Sequence, residues 1–133
     1  MLEPVPAIVV SRPGIMRQSL SVALTMCAWI SVVTVAGDGL NALNQVMHHQ
    51  PQLLIIDSNL LDEEVEALLA AVKTRQPAVR CLALVQSNHR EAELLAAHAD
   101  AVVLRSAPAP QLQTVLHRLA QAAVAPDWNG GEL

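Results

Sequence analysis

Apolar residues fall in short blocks along the chain, divided by polar turns, and the spacing inside each block predicts its structure. Ala7 to Val10 is an apolar run that breaks at Ser11-Arg12-Pro13-Gly14, which predicts a strand and its loop. From Ile15 to Cys27, Met16, Leu20, Ala23, Leu24 and Cys27 recur at helical spacing and predict a helix laid on a sheet. Ile15, Val22 and Met26 lie beside that stripe, so the apolar arc is wider than one contact needs. It reads either as a helix packed between two neighbours or as an interface. Ile30 to Ala36 is β-branched and predicts a second strand, after which Gly37-Asp38-Gly39 turns the chain into a helix ending near His49. His48 and His49 point in different directions there and suit the negative end of the helix dipole.

Leu53-Leu54-Ile55-Ile56 is an unbroken apolar run between Pro51 and Asp57, which predicts a strand buried on both faces at the centre of a parallel sheet. Acids at Asp62-Glu63-Glu64 and bases at Lys73 and Arg75 complement the dipole of a helix near Glu63 to Arg75. Cys81 to Val85 predicts a fourth strand, Gln86-Ser87-Asn88 the approach to an alanine-rich helix through about His98, and Ala101 to Leu104 a fifth strand. Pro108 and Pro110 introduce a last helix with Leu112, Val115, Leu116 and Leu119 on one face. Beyond it, Pro126, Trp128, Gly130 and Gly131 read as a linker or flexible tail, giving one domain over residues 1–124 and a tail over 125–133.

Uninterrupted alternation of strand and helix predicts an α/β, doubly wound (βα)5 fold: one five-stranded parallel sheet with helices on both faces, in the order 2-1-3-4-5. That order puts strands one and three side by side. Ser11, Arg12 and Asp57 then converge at their carboxyl ends, with Asn59 just beyond and Val85, Gln86 and Arg105 arriving from strands four and five. A carboxylate ending a central strand is a site candidate; the plainer reading is an Asp that caps the following turn.

Composition narrows the function. The 133 residues are 53% hydrophobic and 2% aromatic with no Phe or Tyr, and the net charge is -4. The eight Lys and Arg are scattered rather than clustered, which argues against a nucleic-acid surface on this domain. Trp29 and Trp128 offer the only indole faces, too few for base stacking. The N-terminus has no basic segment ahead of a long apolar one, so neither a signal peptide nor a membrane span is expected, and the expected location is cytoplasmic. Cys27 and Cys81 have no metal-ligand or redox spacing and read as small buried hydrophobes.

From about Ala7 to Ala123 the chain resembles the receiver domain of two-component response regulators, the CheY-like fold, most closely its NarL/FixJ (LuxR-type) branch. The marks are Asp57 ending an apolar strand, Gly37-Asp38-Gly39-Leu40-Asn41-Ala42-Leu43 after strand two, and His98-Ala99-Asp100-Ala101 leading to Arg105. The resemblance implies that Asp57 occupies the phosphoacceptor position. It also implies a homodimer, a histidine kinase or other regulatory protein as partner, and DNA contact only through a C-terminal domain outside this chain.

Departures from the family pattern are equally specific. Phosphorylated receivers carry an acidic pair after strand one to hold Mg²⁺, a Thr or Ser after strand four, an aromatic in strand five and a Lys at its end; here stand Ser11-Arg12, Val85, Val102 and Arg105. Leu61 and Asp62 replace the usual Pro and Gly after the phosphoacceptor strand. A guanidinium about 4 Å from the metal position would oppose a divalent ion by roughly 8 kcal/mol at an effective dielectric near 20. Val85 cannot bond a phosphoryl oxygen, and Val102 has no ring to change rotamer. These departures predict an atypical receiver, not an enzyme and without a cofactor, that signals through protein contacts. Arg12, assisted by Arg105, is expected to pair with Asp57; the alternative leaves Arg12 in solvent and Asp57 as a turn cap. Two other functions remain open: a phosphoacceptor receiver modified on Asp57 by a histidine kinase, and a module that binds a small anion or flavin near Arg12 and Gly14.

Overall fold

The computed structural model describes residues 4–124. Expectations for 125–133, including a docked or free Trp128, lie outside the described residues. The chain runs β1 (Val5–Val10), α1 (Ile15–Thr25), β2 (Ile30–Ala36), α2 (Gly39–His49), β3 (Leu53–Ile56), α3 (Asp62–Arg75), β4 (Arg80–Val85), α4 (Glu91–Ala96), β5 (Ala101–Leu104) and α5 (Ala109–Val124). All strand pairs are parallel and the order is β2-β1-β3-β4-β5, as the alternation predicts.

Period-two alternation in strands without polar positions means that both faces of the sheet are buried. Ile8, Val10, Leu54, Ile56, Cys81 and Ala83 face one core with Ala42 and Val46 of α2, Leu68, Leu69 and Val72 of α3, and Leu94 of α4. Their neighbours Ala7, Val9, Leu53, Ile55, Leu82 and Leu84 face the other, with Leu20 and Leu24 of α1 and Leu112, Leu116 and Leu119 of α5. The outer face of α1 has no cover: Ile15, Val22 and Met26 are 82%, 65% and 74% exposed. Trp29 sets its ring edge-on to His117 of α5, 5.3 Å between centroids. His48 and His49 end α2 as the dipole suggests, and Asp38 caps its start by accepting from the Asn41 N–H at 2.7 Å. No helix among the described residues is long and apolar enough to cross a membrane.

Local outcomes differ from the sequence pattern in two places. β1 begins at Val5 and takes in Pro6, because the Pro6 carbonyl still serves the ladder by accepting from the Gln52 N–H at 2.9 Å. The fourth helical segment is a 3₁₀ turn over Asn88–Arg90 followed by a short α4 that stops at Ala96, two residues before His98. His98 takes a left-handed φ of 82°, which ends the helix and delivers Asp100 to the sheet. There Asp100 accepts from Lys73 Nζ at 2.6 Å and from the Cys81 N–H at 2.7 Å. Lys73 therefore does more than complement the α3 dipole, since it ties α3 to the approach of β5.

Burial pushes the Cys81 thiol up to about 12 and also raises Cys27. Cys81 should not react with a thiol reagent in the folded protein at pH 8 and should react at once on unfolding. Below about pH 9 the thiol is protonated in both states. Above it the unfolded chain loses the proton first, so this group's contribution to stability should fall by about 1.4 kcal/mol per pH unit between roughly pH 9 and 12. Urea midpoints at pH 8 and 10.5, compared with those of Cys81→Ala, measure that slope.

Candidate functional site

Three backbone bonds carry the sheet ladder one residue past its strands and fix the site's side chains. The Ser11 N–H donates to the Ala36 carbonyl (2.9 Å), the Asp57 N–H to Val10 (2.8 Å) and the Arg105 N–H to Val85 (2.7 Å). Asp57, at the end of β3, is 1% exposed and Ser11, at the end of β1, is fully buried; they are the only buried polar residues among those described.

A carboxylate out of water must be paired and hydrogen-bonded. Asp57 Oδ2 accepts from Ser11 Oγ at 2.7 Å, and Oδ1 accepts from the Ser58 N–H at 2.7 Å and from Arg105 Nε at 3.0 Å. The turn-capping bond to Ser58 and the ion pair with Arg105 thus coexist on one oxygen. Arg105 extends further, its Nη2 donating to the Met16 carbonyl in the first turn of α1 at 2.8 Å.

Arg12 does not pair with Asp57. Its Nη2 lies 2.7 Å from Glu64 Oε1, and its Nη1 donates to the Gly37 carbonyl at 3.4 Å. Two features draw it away. Asn59 holds the Arg12 backbone, accepting from its N–H at 3.1 Å and donating to its carbonyl at 3.3 Å, while Arg105 already occupies the one buried carboxylate. Asn59 Nδ2 also donates to Ser11 Oγ at 3.1 Å, so the hydroxyl that serves Asp57 is itself fixed.

Sequence reasoning missed two participants. Glu64, read only as an acid suiting a helix start, accepts from the Gly39 N–H at 2.6 Å and from the Leu61 N–H at 3.4 Å besides its pair with Arg12. A Cβ on Gly39 would stand 2.9 Å from Glu64 Cγ, so the second glycine of Gly37-Asp38-Gly39 makes room for this carboxylate. Position three of α3 after an uncapping Leu61 was the available signal. Arg17 of α1 clamps the Ser11 carbonyl with Nε at 2.9 Å and Nη2 at 2.6 Å. Nothing in its spacing marks it.

Val85 and Gln86 meet the site from β4 without entering the ion-pair network. Gln86 Nε2 donates to Ser58 Oγ at 3.1 Å. Val85 helps line a cavity of about 80 Å³ beside Asp57, with Leu60, Val65, Ala83, Leu94 and Arg90. Arg90 joins the short α4 to α3 through Asp62 (2.7 Å) and Glu66, and to its own helix through Glu93 (2.9 Å). Val102 packs against the core shared by α2, α3 and α4.

No protein-family model matches this sequence, and no curated protein matches it. Solved structures do. The signal receiver domain of NarL from Mycobacterium tuberculosis superposes with a TM-score of 0.82 at 20% identity over 90% of this chain and 98% of that one. A response regulator described for its DNA interaction, RcsB of Salmonella typhimurium, gives 0.78 at 17% over 91% of this chain and 62% of that longer one. The receiver domain of a Pseudomonas aeruginosa sensor histidine kinase, which has a magnesium ion coordinated in its active-site cleft, gives 0.77 at 16% over 88% and 98%. Likeness at such identities establishes architecture, and with five parallel strands in the order β2-β1-β3-β4-β5 the chain has the CheY-like receiver fold.

Proposed function

We propose that this chain is an atypical receiver-like regulatory domain whose pocket works without Mg²⁺-dependent aspartyl phosphorylation and which signals by protein contact. The carrying observation is the donor set around Asp57: the β1 end brings Ser11 and Arg12 rather than acids, Arg12 takes up Glu64, and Asp57 is left as a single carboxylate already paired with Arg105. A hard divalent ion needs several oxygen ligands, and the residues present do not fit one. The β1 end offers a neutral Ser11 and a cationic Arg12; Glu64, the other nearby carboxylate, is held by Arg12 and two backbone N–H groups. Among the described residues no three His, Cys, Asp or Glu gather around a point. With no metal to neutralise it, a phosphoryl group transferred to Asp57 would have to displace Arg105 from Oδ1 or Ser11 from Oδ2 and would meet Val85 where a hydroxyl donor is wanted.

Mixing the protein with Mg²⁺ and beryllofluoride, or with acetyl phosphate, should yield no adduct and leave its amide spectra unchanged. An Asp57 adduct at millimolar Mg²⁺ would restore the phosphoacceptor reading. Arg105→Ala is the informative companion: it should lower stability by about 3 kcal/mol, since it leaves Asp57 buried without its cation.

For the contact surface we propose the outer side of α1 and α5, with a second copy of the chain as partner. Neither helix carries an acid, whereas every described acidic residue lies on or beside β3, α2, α3, α4 or the turn before β5. Arg17 is committed to Ser11, so the uncovered face of α1 shows Ile15, Val22 and Met26 among uncharged side chains. Two such α1 faces meet without like-charge repulsion, as a two-fold interface requires, Arg118 being the one Lys or Arg on α5. By the same resemblance to regulators such as RcsB, DNA contact would belong to a further domain. Sedimentation at tens of micromolar should show dimer, and Val22→Asp should shift it to monomer; monomer alone in both would remove the interface.

A further inference from the structure

The pocket is joined to α1 by a closed ring of polar contacts. From Asp57 Oδ1 one arm runs through Arg105 Nε (3.0 Å) and its Nη2 to the Met16 carbonyl (2.8 Å). From Asp57 Oδ2 the other runs through Ser11 Oγ (2.7 Å), then from the Ser11 carbonyl to the guanidinium of Arg17 (2.9 and 2.6 Å). Met16 and Arg17 are consecutive in the first turn of α1, so one arm ends on a carbonyl and the other on a side chain of adjacent residues. That turn needs outside support, because Gly14 at its N-cap, with φ 140°, supplies no side-chain cap and no acid stands in the first turn. The exposed stripe begins at the same turn, with Ile15.

We infer that Arg105 is a positioning residue that transmits the charge on Asp57 to the first turn of α1, making the α1 stripe the surface that responds to the pocket. One planar guanidinium spans carboxylate and carbonyl through two separate nitrogens, Nε to Asp57 and Nη2 to Met16, a separation of donors that an ammonium with all its donors on one atom does not supply. While Asp57 is anionic it holds Nε and so aims Nη2 at Met16. When that charge is lost or engaged by something else, Arg105 is released and the turn keeps only the Ser11–Arg17 arm. The coupling rests on the regulatory reading of the pocket and adds its direction of output. It does not involve Val85 or Val102.

Amide hydrogen exchange on the full chain tests it. Asp57→Asn, nearly isosteric, should speed exchange of the α1 amides Gln18, Ser19 and Leu20 by about tenfold and leave Leu68, Leu69 and Val72 of α3 nearly unchanged. Arg105→Met also leaves Asp57 buried without its cation and so lowers global stability, so it is read by the excess of α1 over α3 acceleration: that excess should match Asp57→Asn, and the double variant should add nothing to it, because both changes cut one arm. Arg105→Lys keeps a cation for Asp57 but loses the span, so it should still loosen α1; it replaces Arg105→Met in the cycle should that variant not fold. Unchanged α1 exchange in Asp57→Asn, additive effects in the double variant, or equal loosening of α1 and α3 would each overturn the coupling. A beryllofluoride adduct on the unaltered protein would instead overturn the metal-free reading and leave the exchange result standing, so the two failures are distinct.

Discussion

The constraint on which the upper end of this molecule depends is the burial of one carboxylate. Asp57 is 1% exposed at the end of the central strand, and an unpaired charge there would cost several kcal/mol, by the order of magnitude seen when one partner of a buried pair is removed. Its neighbourhood can be derived from that need. Arg105 supplies the opposite charge, Ser11 and the Ser58 N–H supply the remaining donors, and Asn59 fixes Ser11. Once the β5 arginine is committed to Asp57, Arg12 must find its anion elsewhere, and Glu64 is placed for it only because residue 39 has no side chain.

The fold was legible because it depends on hydrophobic periodicity alone. Strands such as Leu53–Ile56 have no polar position to alternate with, and a strand apolar on both sides fits only between two layers of helices. The site was legible in part, for a reason that separates backbone from side chain. Strand order brings Ser11, Asp57 and Arg105 together whatever their side chains do. Which of two arginines reaches Asp57 depends on rotamers and on competition for a second acid, and an arginine side chain has the length to go either way. The α4 segment was read too long for a related reason: alanine-rich composition favours helix, but the left-handed His98 and the ties of Arg90 and Asp100 decide where it stops.

That the chain superposes on receiver domains at 16–20% identity follows from the same division of labour. The two cores demand only apolar volume at alternating positions, a requirement met here without a single Phe or Tyr by Val, Leu, Ile, Ala and Cys. The loops past the strands are under no such requirement. There, a cation at Arg12 faces Glu64 across the mouth of the pocket, and the whole cluster of Arg12, Arg17, Arg105, Asp57 and Glu64 settles into mutual pairs and backbone bonds.

The segregation of acids away from α1 and α5 has an electrical consequence for the domain as a whole. Among the described residues, α3 and α4 carry Asp62, Glu63, Glu64, Glu66, Glu91 and Glu93 against Lys73, Arg75 and the adjoining Arg90, while α1 and α5 carry Arg17 and Arg118 and no acid, so the centres of negative and positive charge of these elements do not coincide. The described residues then form a dipole, which favours one heading in the field of a charged body that the domain approaches. A basic surface would draw the α3–α4 flank toward itself while α1 trails on the far side, so which face arrives first is decided by long-range electrostatics at low ionic strength and left to chance where salt shortens the field to about 10 Å.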